Sequence, residues 1–304
     1  MSIIPARLCD LYDKTRKAFA EGRVIYLLST NHVKLLRKLI DAYERYLNPL
    51  PSIKNCNVEM ELAPGWSFVI VTDGKSYDNL SKSIISIIRE FKDDNNFEII
   101  VIGQNENYPV NADSIRYIYY HGIGFMPGYI TYKKNIGAKL ARFDKLVIMH
   151  DYLALCEGWK DGYTRYGSDF DVCTNKLIDY KGRRSVDWTV KAYPNVGLAL
   201  LPYSEYSEYI YLSGAYFVAK TKFYLNNMLD ETKRWNEKED FEWSDRIIRK
   251  TKIMLNQEST ARYVKEKPLD FAPYNEDWIK STMKLYSIYN RIISKDSFEI
   301  DVLN

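Results

Sequence analysis

The side chains of this chain that could do chemistry fall at three polar strand ends and in one acidic, tryptophan-bearing segment. Thr72–Asp73–Gly74 follows the apolar run WSFVIV, Gly103–Gln104–Asn105 follows FEIIVI, and His150–Asp151–Tyr152 follows KLVIM. Ligands of open α/β sheets bind beyond the carboxyl ends of the strands, so one sheet would bring the three together. Asp73 could accept from a base or a ribose hydroxyl, and Gly74 lets the chain turn away without a side chain in the way. His150 and Asp151 can hold a divalent cation, and a rigid strand would present it to a pyrophosphate whose departing charge it neutralises. The same pair also reads as a half-buried histidine beside a carboxylate that caps the next element. A competing Asp-x-Asp, Asp169 and Asp171 in YGSDFDVC, follows a polar turn and not a buried strand.

The acidic segment is WNEKEDFEWSDR, residues 235–246, with Glu237, Glu239, Asp240, Glu242 and Asp245 beside Trp235 and Trp243. At the start of a helix, Glu239 and Asp240 lie at its positive end, where a carboxylate stays ionised and can act as a base. Such residues also cap helices with no further role. An indole packs well against the apolar face of a sugar, and the 26 tyrosines of the chain suit sugar or peptide contacts.

Other chemistries lack their residues. Gly122 and Gly124 are followed by Pro127 and Gly128 with no strand–glycine–helix passage, so there is no dinucleotide fingerprint, and no Walker loop occurs. Cys9, Cys56, Cys156 and Cys173 are far apart and the chain has only 3 His, which argues against structural zinc and for free thiols in a reducing compartment. Lys+Arg 43 against Asp+Glu 40 leaves +3, which gives no support to a nucleic-acid binder. SFVIV and KLVIM are far shorter than the roughly 18 residues of a membrane span, and the first 19 residues carry no signal-peptide apolar run. The expectation is a cytoplasmic protein, monomer or homodimer, with peripheral membrane contact open.

The elements that must position these side chains follow from periodicity. WSFVIVTDG (66–74) and FEIIVIG (97–103) are unbroken apolar runs, as strands buried on both faces should be. Between them YDNLSKSIISIIREF (77–91) puts Leu80, Ile84, Ile87, Ile88 and Phe91 on one helical face. IRYIYY (115–120) predicts a third strand, 128–143 a loop entering a helix, and KLVIMHDYLAL (145–155) a strand. Residues 157–195 show strand-like pieces without a long helix, 209–219 resume apolar character, and 221–234 and 240–256 read as helices. Two helices and a short strand within 1–60 form an N-terminal extension packed on the main domain. Residues 277–293 predict an amphipathic C-terminal helix.

In order, these segments resemble the GT-A glycosyltransferases, in particular the inverting family 2. FVIVTDG with SYDNLSKSIISI is similar to that family's opening strand and helix, and FEIIVIGQN to its second strand. KNIGAKLARFDKLVIMHDY resembles its asparagine–glycine helix and acidic metal motif. YLSGAYFVAKTKFY resembles the acceptor-side serine–glycine segment, and WNEKEDFEWSDR the segment carrying the base. The likeness covers 66–250. Where the family has Asp-x-Asp, this chain reads His150–Asp151–Tyr152.

The resemblance implies an α/β GT-A fold, the nucleotide-diphospho-sugar transferase fold, with a mostly parallel central sheet flanked by helices. The catalytic domain would span 61–260, with 157–195 an acceptor-side insert, 1–60 an N-terminal extension and 261–304 a C-terminal helical tail. It implies a nucleotide-sugar donor, a UDP-sugar first, with Mn2+ or Mg2+ at Asp151 and His150, and a glycan or glycolipid acceptor. Thr72, Asp73 and Gly74 would meet the nucleotide, and Asn135 and Asp151 the diphosphate. Asp240 would be the general base with Glu239 positioning. Gly214, Asp187, Trp188, Trp235 and Trp243 would face the acceptor, with Arg184 in the same insert. The alternatives are a nucleotidyltransferase and an inactive carbohydrate-binding protein of the same fold.

Overall fold

The structure, a computed structural model, describes residues 61–103, 109–120, 129–192, 197–233, 238–267, 271–272, 275 and 277. The first half of the described chain gives β1 (Ala63–Val71), α1 (Tyr77–Glu90), β2 (Phe97–Gly103), β3 (Ile115–Tyr119), α2 (Tyr129–Leu140), β4 (Phe143–His150), β5 (Leu153–Leu155), α3 (Trp159–Tyr166) and β6 (Val172–Ile178). The second half gives β7 (Thr189–Ala192), β8 (Gly197–Leu200), β9 (Ile210–Tyr211), β10 (Tyr216–Lys220), α4 (Thr221–Leu225), α5 (Glu239–Ile247), β11 (Ile253–Tyr263) and β12 (Phe271–Ala272).

The main sheet has the order β3-β2-β1-β4-β10-β6-β11-β5. Strands β1 to β4, β6 and β11 run one way, and β10 and β5 run against them. A smaller sheet, β12-β8-β7-β9, lies beside it. Alternation along β1 sends Phe68 and Ile70 into one core with Leu80, Ile84 and Ile87 of α1, and Val69 and Val71 into the other with Ile130 and Ile136 of α2. Both faces of the strand are therefore covered, which is why its sequence shows no polar alternation. Gly137 lets α2 lie against β1: a Cβ there would stand 2.2 Å from Val69 Cγ1. None of the described helices is long and apolar enough to cross a membrane.

The early strands and helices fall where periodicity places them, and the later part differs. The stretch 145–155 is two strands, because the chain turns at Asp151–Tyr152 and β5 pairs with β11. The helix expected over 240–256 stops at Ile247, the one over 221–234 at Leu225, and β11 takes 253–263. That strand hid itself in the sequence because its register shifts between Asn256 and Thr260, which breaks the period of two, and because Asn256 and Ser259 are buried and bonded to each other. Residues 157–195 are not simply an added loop: β6 runs inside the main sheet between β10 and β11. The boundary drawn at 260 falls within β11. The extension 1–60 and, apart from Asp277, the helix 277–293 lie outside the described residues.

Candidate functional site

At the carboxyl edge of the main sheet, β1 and β4 end side by side and their next residues meet. Thr72 Oγ1 donates to Asp151 Oδ2 at 2.6 Å, and Gly74 N–H donates to Thr72 Oγ1 at 3.0 Å. Gly74 has φ +75°, a backbone conformation that glycine adopts without penalty. The turn it makes leaves Asp73 exposed, with the Lys75 ammonium 3.4 Å from its carboxylate. Asp151 is buried, and burial first, with the Asp73 charge adding to it, raises its pKa. The Thr72 hydrogen bond and the ammonium groups of Lys265 and Lys133 oppose that rise.

Helix α2 delivers two lysines to this edge. It is buried on every side from Tyr129 to Ala138, so Lys133 and Lys134 have no solvent face. Fully buried lysines are rare unless a partner or ligand needs them. Lys133 Nζ donates to the Thr72 carbonyl at 2.8 Å and lies 3.8 Å from the centre of the Tyr129 ring. Burial lowers its pKa to about 7 against the pull of Asp73 and Asp151. Lys134 Nζ is 3.5 Å from Glu239 Oε1 on α5.

Next to these groups a cavity of about 260 Å3 opens, lined by His150, Tyr152, Tyr211, Gly214, Asp240 and Lys267 among others. His150 is half-buried, and its Nε2 is enclosed without a hydrogen-bond partner. Burial, then the charges of Lys134, Lys267, Lys133 and Lys265, push its pKa well below the ordinary histidine value, so the ring is neutral. Lys267 Nζ stands 5.4 Å from the centre of the Tyr152 ring and Lys265 Nζ 4.2 Å from it. The surroundings of His150 are thus rich in ammonium groups.

These donors do not fit a resident Mn2+ or Mg2+. Such ions take about six oxygen-rich ligands, usually with one or two carboxylates. Asp151 with its neighbour His150 is the whole donor set at this strand end, and no three His, Cys, Asp or Glu side chains converge among the described residues. Asp171 of the rival Asp-x-Asp lies at the amino end of β6, the opposite edge, where Thr251 Oγ1 donates to it at 2.9 Å.

Across the cavity α5 begins after Lys238, which takes the left-handed φ +58°. That turn makes Glu239 and Asp240 the first residues of the helix. Asp240 Oδ2 accepts from Tyr211 OH at 2.6 Å and from Gly214 N–H at 3.0 Å, and its Oδ1 accepts from its neighbour Phe241 N–H at 3.0 Å. A carboxylate has about four acceptor positions, so one remains for a ligand. Gly214, expected to make room for an acceptor, makes room for Asp240.

Several expected contacts are withdrawn by packing. Asn135 is buried: its amide donates to Leu229 O and Glu231 Oε1, each at 2.9 Å, and its oxygen accepts from Tyr224 OH and Leu229 N–H. It ties α2 to the segment after α4 and has nothing left for a diphosphate. Asp187 is buried and accepts from Arg184 Nε, Leu177 N–H, Trp188 N–H and Tyr203 OH. Trp188 and Trp243 are core residues, with indole N–H groups donating to the Glu205 and Asn227 carbonyls. Neither offers a face to a sugar. Trp235, like Gln104 and Asn105, lies outside the described residues.

Sequence reasoning passed over Lys133, Lys134, Tyr211, Lys265 and Lys267. The signal for the first two was present: adjacent lysines in a helix with no polar face. KEK at 265–267 reads as an ordinary charged surface run.

No protein-family model matches this chain, and no curated protein does. Among solved structures it is similar to the crystal structure of GalNAc-T7 with UDP, GalNAc and Mn2+, with a TM-score of 0.50 and 14% identity. The match covers 67% of this chain and 44% of that one, so this chain accounts for under half of the other's length. At such identity the likeness speaks for fold alone. With the helix-flanked, largely parallel sheet, it gives the chain a GT-A-like fold.

Proposed function

We propose that the chain transfers a sugar from a nucleotide-diphosphate donor to a hydroxyl of a glycan or glycolipid, with inversion at the anomeric carbon. The observation that carries this reading is Asp240, held by Tyr211 and Gly214 on the wall of a cavity that His150, the last residue of β4, also lines. In a GT-A-like sheet that strand end is the place for a nucleotide. Thr72, Asp73, Gly74 and Asp151 would then meet the nucleotide, and the 260 Å3 cavity would take the sugar and the acceptor hydroxyl.

The step needs no covalent intermediate. The acceptor oxygen forms the new bond to the anomeric carbon while the bond from that carbon to the diphosphate oxygen breaks. The bonding pair leaves with the diphosphate, and the hydroxyl proton passes to Asp240. Three hydrogen bonds to Asp240 fix its orientation, so little reorganisation is needed when the hydroxyl arrives. Glu239, held by Lys134, keeps the first turn of α5 in place.

The test is transfer and donor hydrolysis across UDP-, GDP-, CMP- and dTDP-sugars, with glycan and glycolipid acceptors. Turnover of at least one donor supports the reading. Pyrophosphate release from nucleoside triphosphates would point instead to a nucleotidyltransferase, and sugar binding with no turnover to an inactive carbohydrate-binding protein.

A further inference from the structure

We infer that lysine ammonium groups, and not a divalent cation, hold the donor diphosphate and balance the charge that builds on it as it leaves. This rests on the glycosyltransferase reading of the same site. Two independent features of the site support it.

The first is the mismatch between the ligands a cation needs and those present. His150 and Asp151 are neighbours, Asp151 is bonded to Thr72, and no third acid or histidine joins them among the described residues. The second is what gathers there instead. Lys133 is buried with the Thr72 carbonyl and the Tyr129 and Tyr120 rings at its ammonium group, and no carboxylate among the described residues lies within ion-pair distance. Lys267 lines the cavity beside the rings of Tyr152 and Tyr263, again without an ion pair among the described residues. The charges of Asp73 and Asp151 at Lys133, and of Asp240 at Lys267, only partly offset the cost of taking these cations out of water, and an anion that entered would relieve the remainder. His150 also lines the cavity, and its enclosed Nε2 has no hydrogen-bond partner.

The chemistry balances without a metal. When the bond between the anomeric carbon and the diphosphate breaks, the pair of electrons adds one negative charge to the diphosphate. Fixed ammonium groups stabilise that charge more in the transition state than in the bound donor, as electrostatic catalysis requires.

Calorimetry on the full chain tests this with UDP, GDP, ADP and dTDP, each in EDTA and in Mn2+. The expected result is that at least one nucleoside diphosphate binds in EDTA within about threefold of its affinity in Mn2+. Lys267→Ala should weaken that binding about tenfold or more, Lys267→Arg should restore most of it, and Mn2+ should not rescue the alanine variant. Lys133→Met is a second probe, read only on preparations whose melting shows a folded chain. Binding that falls tenfold or more in EDTA overturns the inference and leaves the glycosyltransferase reading standing. Unchanged affinity in Lys267→Ala and folded Lys133→Met also overturns it. Failure of every nucleoside diphosphate to bind in either condition overturns both readings.

Discussion

A methyl group placed on Gly214 would stand 2.9 Å from Asp240 Oδ2, the same oxygen to which the Gly214 N–H donates at 3.0 Å. The absence of a side chain on β10's approach and the aim of the carboxylate on α5 are therefore one feature. Gly214→Ala should push Asp240 Oδ2 off its two donors, Tyr211 OH and Gly214 N–H, while barely touching the main core. The expected outcome is a loss of turnover of about tenfold or more, since small misplacements of a reacting group are expensive. Near-native turnover in a folded Gly214→Ala would show that the position of Asp240 does not matter.

Asp240→Asn keeps the size and part of the hydrogen bonding but removes the basic oxygen. Turnover should fall by about 100-fold or more while donor affinity stays within a few-fold. Glu239→Gln, which weakens the contact to Lys134, should cost less turnover and more acceptor KM. If both residues only cap α5, each change should lower Tm modestly and leave the rate per folded molecule nearly intact. Rate and Tm measured on the same preparations separate the cases.

Lys133 gives the protein a pH signature. Its pKa is lowered to about 7 in the fold by burial, opposed by Asp73 and Asp151 and assisted by Lys134, against 10.5 for an ordinary lysine. Between those values the unfolded chain binds a proton that the folded chain lacks, so this group makes stability rise with pH from about 7 toward 10. Below pH 7 both states are protonated and its contribution is flat. The slope is at most about 1.4 kcal/mol per pH unit. Urea unfolding at pH 7, 8 and 9 should show that slope flattened in Lys133→Met; Lys267, whose pKa burial also lowers, adds in the same sense, and the Cys156 and Cys173 thiols, whose pKa burial raises, oppose it toward pH 9. Nucleoside diphosphate affinity should move the other way and fall above pH 7. Phosphate ionisation, near pH 6, is by then complete and does not mask the change. Parallel unfolding profiles in wild type and variant would remove Lys133 as the source.

Asp187 separates packing from chemistry. Its carboxylate takes Arg184 Nε at 2.9 Å and Tyr203 OH at 2.5 Å, and both partners pack on each other with the guanidinium 3.9 Å from the tyrosine ring centre. Asp187→Ala leaves Arg184 without its counter-charge and should cost about 3–5 kcal/mol of stability, the range for breaking a buried pair. Activity per folded molecule and acceptor KM should change little. A selective rise in acceptor KM with unchanged Tm would return Asp187 to the acceptor site.

The sequence by itself determined the sheet's opening strands and the helix between them. Strands covered on both faces need continuous apolar runs, and a helix with one buried face needs a period near 3.6, so FVIV, FEIIVI and Leu80–Ile84–Ile87 had few other readings. It also singled out Thr72, Asp151 and Asp240, because polar residues that end an apolar strand or open a helix stand out locally. What only the tertiary structure decided was which polar groups have hydrogen-bonding capacity left. Asn135 is consumed by Tyr224 and Leu229, Asp187 by Tyr203 and Arg184, and Trp243 by Asn227 and the Phe217 ring. Asp240 keeps an acceptor position beside a cavity, and His150, which lines the same cavity, keeps an enclosed Nε2 without a partner. Partners up to 96 residues away settle that difference, as for Asn135 and Glu231, and local spacing carries no record of them. The same holds for Lys133: only the packing of α2 on every side turns a surface-type residue into a buried cation.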